Sequence, residues 1–110
     1  MKKDEIINEI EAYLVNNGVK LYSECYIGIA EDPRDRLFSD HKLLEKGDIW
    51  IYESADSDDV ARDTEKYFLD KGMKGGAGGG SDKSTYVYSY KINEHTSESP
   101  TIDKTEEGKE

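Results

Sequence analysis

The first part of the chain spaces its apolar residues as one face of a helix does. Between Asp4 and Val15 these positions recur with the helical period. They are Ile6, Ile7, Ile10, Tyr13 and Leu14. The polar run Asn16 to Gly18 supplies a stop signal, because glycine readily adopts the left-handed conformation that ends a helix. The pattern therefore predicts a first amphipathic helix that ends near Asn16.

Two more helices are predicted from their start and stop signals. Asp32 is expected to cap a second helix, with Pro33 at its first position. One side of this helix is expected to carry Leu37, His41 and Leu44. Ser57 is expected to cap a third helix that runs to about Lys71 and ends at Gly72.

Between these helices the pattern changes to the alternation that is typical of strands. The first predicted strand is Val19–Ala30, the second is Ile49–Glu53, and the third is Thr85–Ile92. Side chains alternate between the two faces of a strand. One face of the last strand is therefore expected to carry Tyr86, Tyr88 and Tyr90.

The resulting order, α-β-α-β-α-β, predicts an α+β fold with a small three-stranded sheet flanked by three helices. A parallel doubly wound sheet could give the same order. We favour an antiparallel or mixed sheet, because the strands alternate instead of forming continuous apolar runs. Residues 1–93 are expected to form one domain, in which residues 72–83 make a glycine-rich loop best interpreted as a linker. Residues 94–110 are expected to be a flexible acidic tail, since they contain few apolar side chains.

Composition narrows the range of functions. The formal net charge is −10, which repels a polyanion and makes a general DNA-coating role improbable. The single cysteine, Cys25, excludes an internal disulfide and a cysteine metal cage. No apolar run approaches the length of a membrane span, and no secretory signal is evident, so a cytoplasmic location without membrane contact is expected.

Candidate chemistry begins at Tyr26-Ile27-Gly28 on the first strand. Arg36 follows Tyr26 by ten residues and lies on the second helix; His41 follows Arg36 by five, and Glu65 lies on the third helix. This order and spacing resemble those of the GIY-YIG endonucleases. The resemblance spans about residues 21–71 and implies a metal-dependent phosphodiesterase that acts on DNA or RNA.

The resemblance also implies roles. Glu65 would hold one Mg²⁺ or Mn²⁺, Arg36 would neutralise charge on phosphoryl oxygens, and Tyr26 would orient or deprotonate the attacking water. His41 would assist proton transfer or bind phosphate, although a hydrogen-bonded core histidine is the simpler interpretation. The expected substrate-binding residues are Gly28, Arg34, Tyr86 and Tyr88. Glu65 has independent support, because its helical position projects toward the apolar side, where a carboxylate needs a cation or hydrogen-bond donors.

The chain also departs from the family pattern. It lacks the upstream Gly-Ile-Tyr strand; the strand Thr85–Ile92 could take that place, with one of its tyrosines as the second tyrosine of the site. An alternative hypothesis is therefore an inactive module on the same scaffold that recognises a protein or a small phosphorylated ligand. A homodimer formed through the tyrosine-rich strand is a further possibility.

Overall fold

The structure is a computed structural model that describes residues 1–76 and 81–98. Its two long helices are α1, Lys3–Asn16, and α3, Asp58–Lys71. The Ser57 side chain accepts a hydrogen bond from the Val60 backbone N–H at 3.2 Å, and Gly72 ends α3 with a φ of 116°. These are the capping residues that the sequence predicts. A left-handed φ at the end of a helix is where glycine is least strained.

The sheet has three strands: β1, Cys25–Ala30, β2, Trp50–Ser54, and β3, Tyr86–Lys91. Their order is β1-β3-β2, and β3 pairs antiparallel with both neighbours. The predicted α+β class and antiparallel sheet are therefore confirmed. The last strand of the sequence lies in the centre of the sheet and joins the other two.

The first strand is shorter than predicted. A 3₁₀ turn at Tyr22–Glu24 precedes β1, so the expectation of a strand from Val19 was wrong. The Glu24 carboxylate accepts hydrogen bonds from the backbone N–H groups of Lys20 (3.0 Å) and Leu21 (3.3 Å). These bonds fold the chain locally before β1 begins, which an alternating pattern does not reveal.

The second helix is also shorter than predicted. It begins as α2, Pro33–Asp35, and continues as a π-helical segment, Arg36–Asp40. Lys42 follows with a φ of 68°, a left-handed conformation that stops the helix. Leu44 consequently lies beyond the helix and is 57% exposed, so the expectation that it shares a helix face with Leu37 and His41 was wrong.

A hydrophobic cluster lies on each face of the sheet. Helices α1 and α3 cover the face that carries Ile27 and Val87. The α2 segment covers the other face, where Leu37 packs against Tyr26 and Tyr88. Both faces of β1 are buried, and this strand therefore forms part of both clusters.

The folded body continues past the predicted boundary at residue 93. The Ser97 N–H donates to the His41 carbonyl at 2.8 Å, and the Tyr90 hydroxyl donates to the Glu98 carboxylate at 2.9 Å. The start of the expected tail therefore packs on the domain. Residues 99–110, and residues 77–80 of the glycine-rich loop, lie outside the described residues.

Candidate functional site

Gly28 lets a tyrosine from β3 lie across β1. Gly28 and Tyr88 are directly paired in the antiparallel ladder, and a Cβ atom at Gly28 would overlap the end of the Tyr88 ring. The Tyr88 ring also stacks near Tyr26, with centroids 6.3 Å apart. The glycine of the tripeptide is thus required by the space that the Tyr88 ring fills.

His41 is the hydrogen-bonded core of this cluster. It is fully buried, with Nδ1 2.6 Å from the Ser97 carbonyl oxygen and Nε2 2.8 Å from the Tyr88 hydroxyl. A carbonyl only accepts, so Nδ1 carries the proton and Nε2 accepts from Tyr88. Burial lowers the pKa of His41, which keeps the ring neutral. These contacts match the interpretation of His41 as a core histidine that positions Tyr88.

Arg36 comes to the same two tyrosines from the π-helical segment. Its guanidinium contacts the Tyr88 hydroxyl and lowers the pKa of both Tyr26 and Tyr88, although burial raises both by more. Its Nε lies 3.2 Å from the Asp40 carboxylate, but the contact is too bent to be a hydrogen bond. Among the described residues, Arg36 Nε is left as a buried donor without an acceptor.

Glu65 brings a carboxylate to the site from α3. It is 6% exposed, and burial raises its pKa to about 7, while the charge of Arg62 lowers it. Its charge raises the pKa of both Tyr26 and Tyr88. Among the described residues no hydrogen bond to this carboxylate is seen, and its oxygens are not fully enclosed. Because the residue is largely buried, ionising this carboxylate is costly, as its raised pKa indicates.

The start of the glycine-rich loop borders the site. The Lys74 carbonyl accepts from the Ile27 N–H at 2.8 Å, so the chain after α3 runs along the free edge of β1. The Gly76 backbone then comes close to the Tyr26 hydroxyl and lowers the pKa of that tyrosine. A Cβ at Gly75 would lie 2.6 Å from the Ile27 carbonyl oxygen, so this close approach needs glycine.

The structure brings together most of the residues that the sequence proposed, but not all of them. The central cluster is built on the hydroxyls of Tyr26 and Tyr88. The other proposed residues that act on this pair are Gly28, Arg36, His41 and Glu65. Arg34 and Tyr86 lie apart, in a row of aromatic side chains beside β2. Their predicted contact with a substrate is therefore separate from the central cluster.

Sequence reasoning missed the contribution of the C-terminal segment. Tyr90 stacks on Tyr26 with centroids 5.4 Å apart, and its hydroxyl lies 3.0 Å from His41 Nδ1. Ser97 and Glu98 complete this network. The tyrosine alternation of β3 was a usable signal for Tyr90, but nothing in the polar composition after residue 93 indicated Ser97 or Glu98.

A divalent cation would find one protein ligand here. Across residues 1–76 and 81–98, no three His, Cys, Asp or Glu side chains gather closely enough to hold a metal. Mg²⁺ commonly binds one or two carboxylates and fills its remaining positions with water and substrate phosphate. The Glu65 carboxylate would fit that mode of binding, with a bound phosphate as the second ligand.

Comparisons give no family for this chain. Neither a protein-family model, nor a curated protein, nor a solved structure matches it. In the described part of the chain, no helix is long and apolar enough to cross a membrane. What the site does must therefore be argued from its own side chains.

Proposed function

We propose that this domain is a metal-dependent phosphodiesterase that acts on nucleic acid. One observation carries the proposal: the Arg36 guanidinium and the largely buried Glu65 carboxylate exert opposite electrostatic effects on the same two tyrosines, Tyr26 and Tyr88. A guanidinium and a carboxylate that both act on these tyrosines suit a phosphate together with the metal ion that accompanies it. The phosphate would accept from Arg36, and the cation would neutralise Glu65.

Each side chain has a role that follows from its contacts. Arg36, whose side chain is 40% exposed, would bind the phosphoryl oxygens through its guanidinium and stabilise charge that develops there. The Tyr26 hydroxyl, which both Arg36 and Glu65 influence, would orient the attacking water. His41 Nε2 accepts a hydrogen bond from the Tyr88 hydroxyl and so fixes its orientation. The lone pairs of the Tyr88 oxygen are then directed toward Arg36. Burial raises the pKa of both tyrosines, so they position groups instead of removing protons.

The cation would be Mg²⁺ or Mn²⁺, held by Glu65. Bound there, it would polarise a phosphate oxygen and stabilise the leaving oxygen. A carboxylate oxygen is the kind of ligand that such a cation prefers. Because the pKa of Glu65 is about 7, a nearby cation is enough to keep the carboxylate ionised at neutral pH.

Nuclease assays test this proposal. The wild-type chain is incubated with plasmid DNA and with labelled single-stranded DNA and RNA, in Mg²⁺, Mn²⁺ or EDTA. We expect cleavage that requires the cation and disappears in Glu65→Gln. Arg36→Lys, which keeps the charge but loses the planar guanidinium, should slow cleavage by about a hundredfold or more.

Asp63→Asn is the matched control, because Asp63 is an exposed acid on the same helix. It should cleave at the wild-type rate. Equal cleavage by wild type and Glu65→Gln would exclude Glu65 as the metal ligand, and no cleavage of any substrate with either cation would overturn the proposal.

A second candidate function is the binding of a small phosphorylated ligand without cleavage. The net charge of −10 favours it, because long-range repulsion from an acidic protein is weaker for a small anion than for a polymer. Isothermal titration with a nucleoside monophosphate distinguishes the two. Tight binding by wild type and loss in Arg36→Lys, without cleavage of any polymer, would favour this second function.

A further inference from the structure

A row of half-buried aromatic side chains leads away from the candidate site. The aromatic row consists of Phe38, Trp50, Tyr52 and Tyr86. Phe38 and Trp50 meet edge to face with centroids 5.1 Å apart, Trp50 and Tyr52 stack at 6.1 Å, and Tyr52 and Tyr86 meet edge to face at 5.9 Å. Each ring retains part of its surface in solvent. The structure thus presents connected aromatic rings on the outside of the sheet.

One cation lies over this row. The Arg34 guanidinium is 5.0 Å from the Phe38 ring centroid and 5.7 Å from that of Trp50. It also contacts the Tyr52 hydroxyl and forms a 2.7 Å ion pair with Glu45. The arginine is held in place by rings and by a carboxylate, with its side chain 46% exposed.

The aromatic row is continuous with the candidate site. Tyr52 is the ladder partner of Tyr88 across β2 and β3, and Tyr86 is the next residue on the same face of β3. Arg34 belongs to the short helix that leads directly into the segment carrying Arg36. A chain bound at the site can therefore extend over the row, with Arg36 and Arg34 beside consecutive parts of its backbone.

We propose that the aromatic row and Arg34 bind unpaired nucleobases, so that the substrate of this site is single-stranded nucleic acid. This inference rests on the proposed function and names its substrate. Exposed aromatic rings with an arginine are the usual stacking platform for single strands, because every base has a π-face. A duplex hides those faces inside its stack.

The acidic surface agrees with stacking as the main source of affinity. Among the described residues, Arg34 and Arg36 lie next to the proposed path, and Arg34 is already paired with Glu45. Each phosphate neutralised on a single strand contributes about −0.7 to the slope of log K against log salt. Two contacts therefore predict a shallow slope of about −1.4, unlike the steep dependence of a basic nucleic-acid protein.

Trp50 makes a direct test possible, because it is the single tryptophan of the chain. Wild-type protein in EDTA is titrated with oligothymidylate or oligouridylate about eight nucleotides long, and with a duplex of equal length. Fluorescein anisotropy of the same oligomers is the second measurement. We expect the single strands to quench Trp50 fluorescence and the duplex to leave it unchanged.

Three variants locate the binding surface. Tyr52→Ala and Arg34→Gln should each weaken single-strand binding at least about fivefold. Glu45→Gln frees Arg34 and should strengthen it several-fold, while the Glu45 carbonyl still accepts from the Trp50 indole N–H. Circular dichroism checks that each variant folds. Tyr67→Ala is the control, since Tyr67 is a half-buried tyrosine on α3 with Lys3 and Lys71 over its ring.

The outcomes separate this inference from the proposed function. If Tyr52→Ala weakens single-strand binding but no cleavage is seen under any condition, the aromatic row is a binding surface and the proposed nuclease activity is rejected. Duplex binding equal to that of the single strand would overturn the inference. The inference would also be overturned if Tyr67→Ala were the one variant that weakens single-strand binding. Quenching of Trp50 fluorescence by a basic proline-rich peptide, but by no oligonucleotide, would overturn it as well.

Discussion

At the residue scale, the contact between Gly28 and Tyr88 is the tightest constraint on the site. A methyl group at Gly28 would overlap a buried ring that β3 and His41 hold in place. We expect Gly28→Ala to destabilise the protein by about 1–3 kcal/mol, the usual cost of overpacking. The measurement is the free energy of unfolding in urea.

A double-mutant cycle isolates this contact. In a Tyr88→Ala background the space is open, so the cost of Gly28→Ala should fall by at least about 1 kcal/mol. An equal cost in both backgrounds would show that the methyl group strains something other than the tyrosine ring.

The Glu65 carboxyl makes stability depend on pH. Its pKa is about 7 in the folded protein against an ordinary value of 4.5, so the folded state holds the proton more tightly than the unfolded state does. This carboxyl therefore leaves the free energy of unfolding unchanged below about pH 4.5. Between about pH 4.5 and pH 7 the free energy of unfolding falls as the pH rises, and above about pH 7 it is constant. The loss is of the order of 3 kcal/mol. Glu65→Gln should lack this fall.

Urea unfolding of both proteins in EDTA from pH 4 to pH 8 gives the comparison. The difference between wild type and Glu65→Gln cancels the contribution of His41, whose lowered pKa acts in the opposite direction. Asp63→Asn should follow the wild-type curve. Parallel curves for wild type and Glu65→Gln would contradict a raised pKa at Glu65.

Spacing along the chain was sufficient to select the central residues but not their contacts. The helical period placed Glu65 on the apolar side of its helix, and it is buried there. The positions of Arg36 and Tyr26 depend on a helix and strand whose local signals were strong. The free Arg36 donor and the Ser97 contact with His41 arise from tertiary packing between distant segments, which no local pattern encodes.

At the scale of elements, the end of the second helix explains where local prediction failed. Its start was correct, because Asp32 accepts from the Asp35 N–H at 3.2 Å and Pro33 follows it. Lys42 then adopts a left-handed conformation without being glycine or asparagine. Tertiary packing of His41 and Leu43, both buried, imposes this conformation against local preference.

Lys42→Gly should therefore stabilise the protein. Glycine adopts a φ of 68° without the Cβ penalty, and the gain is about 0.5–1 kcal/mol after its greater unfolded-state entropy. Thermal unfolding by circular dichroism measures it. Lys46→Gly, at an exposed residue of the following loop that is not among the left-handed positions, is the control and should not stabilise.

At the scale of the whole molecule, the C-terminal segment closes one side of the aromatic cluster. A chain that ends at Asn93 loses the Ser97 carbonyl that His41 Nδ1 requires, and the Glu98 acceptor of Tyr90. A chain that ends at Glu98 keeps both. We expect the shorter chain to be less stable by about 1–3 kcal/mol, because two buried residues, His41 and Tyr90, each lose a hydrogen-bond acceptor.

Urea unfolding of the two truncated chains at pH 7.5 measures this difference. The Tyr90→Phe substitution in the longer chain serves as a partial control, since it removes the bond to Glu98 and leaves the Ser97 bond intact. Equal stability of the two chains would mean that water replaces both bonds at no cost.

The central position of β3 has a consequence for how the protein is made. In the sheet that the described residues form, β1 and β2 are joined through β3, the last of the three strands to be synthesised. While the ribosome still covers β3, the two earlier strands cannot form the sheet, and their apolar faces stay open to other chains. The sheet can then form only after β3 has emerged. Nascent chains stalled before Tyr86 should be the form of this protein that chaperones hold.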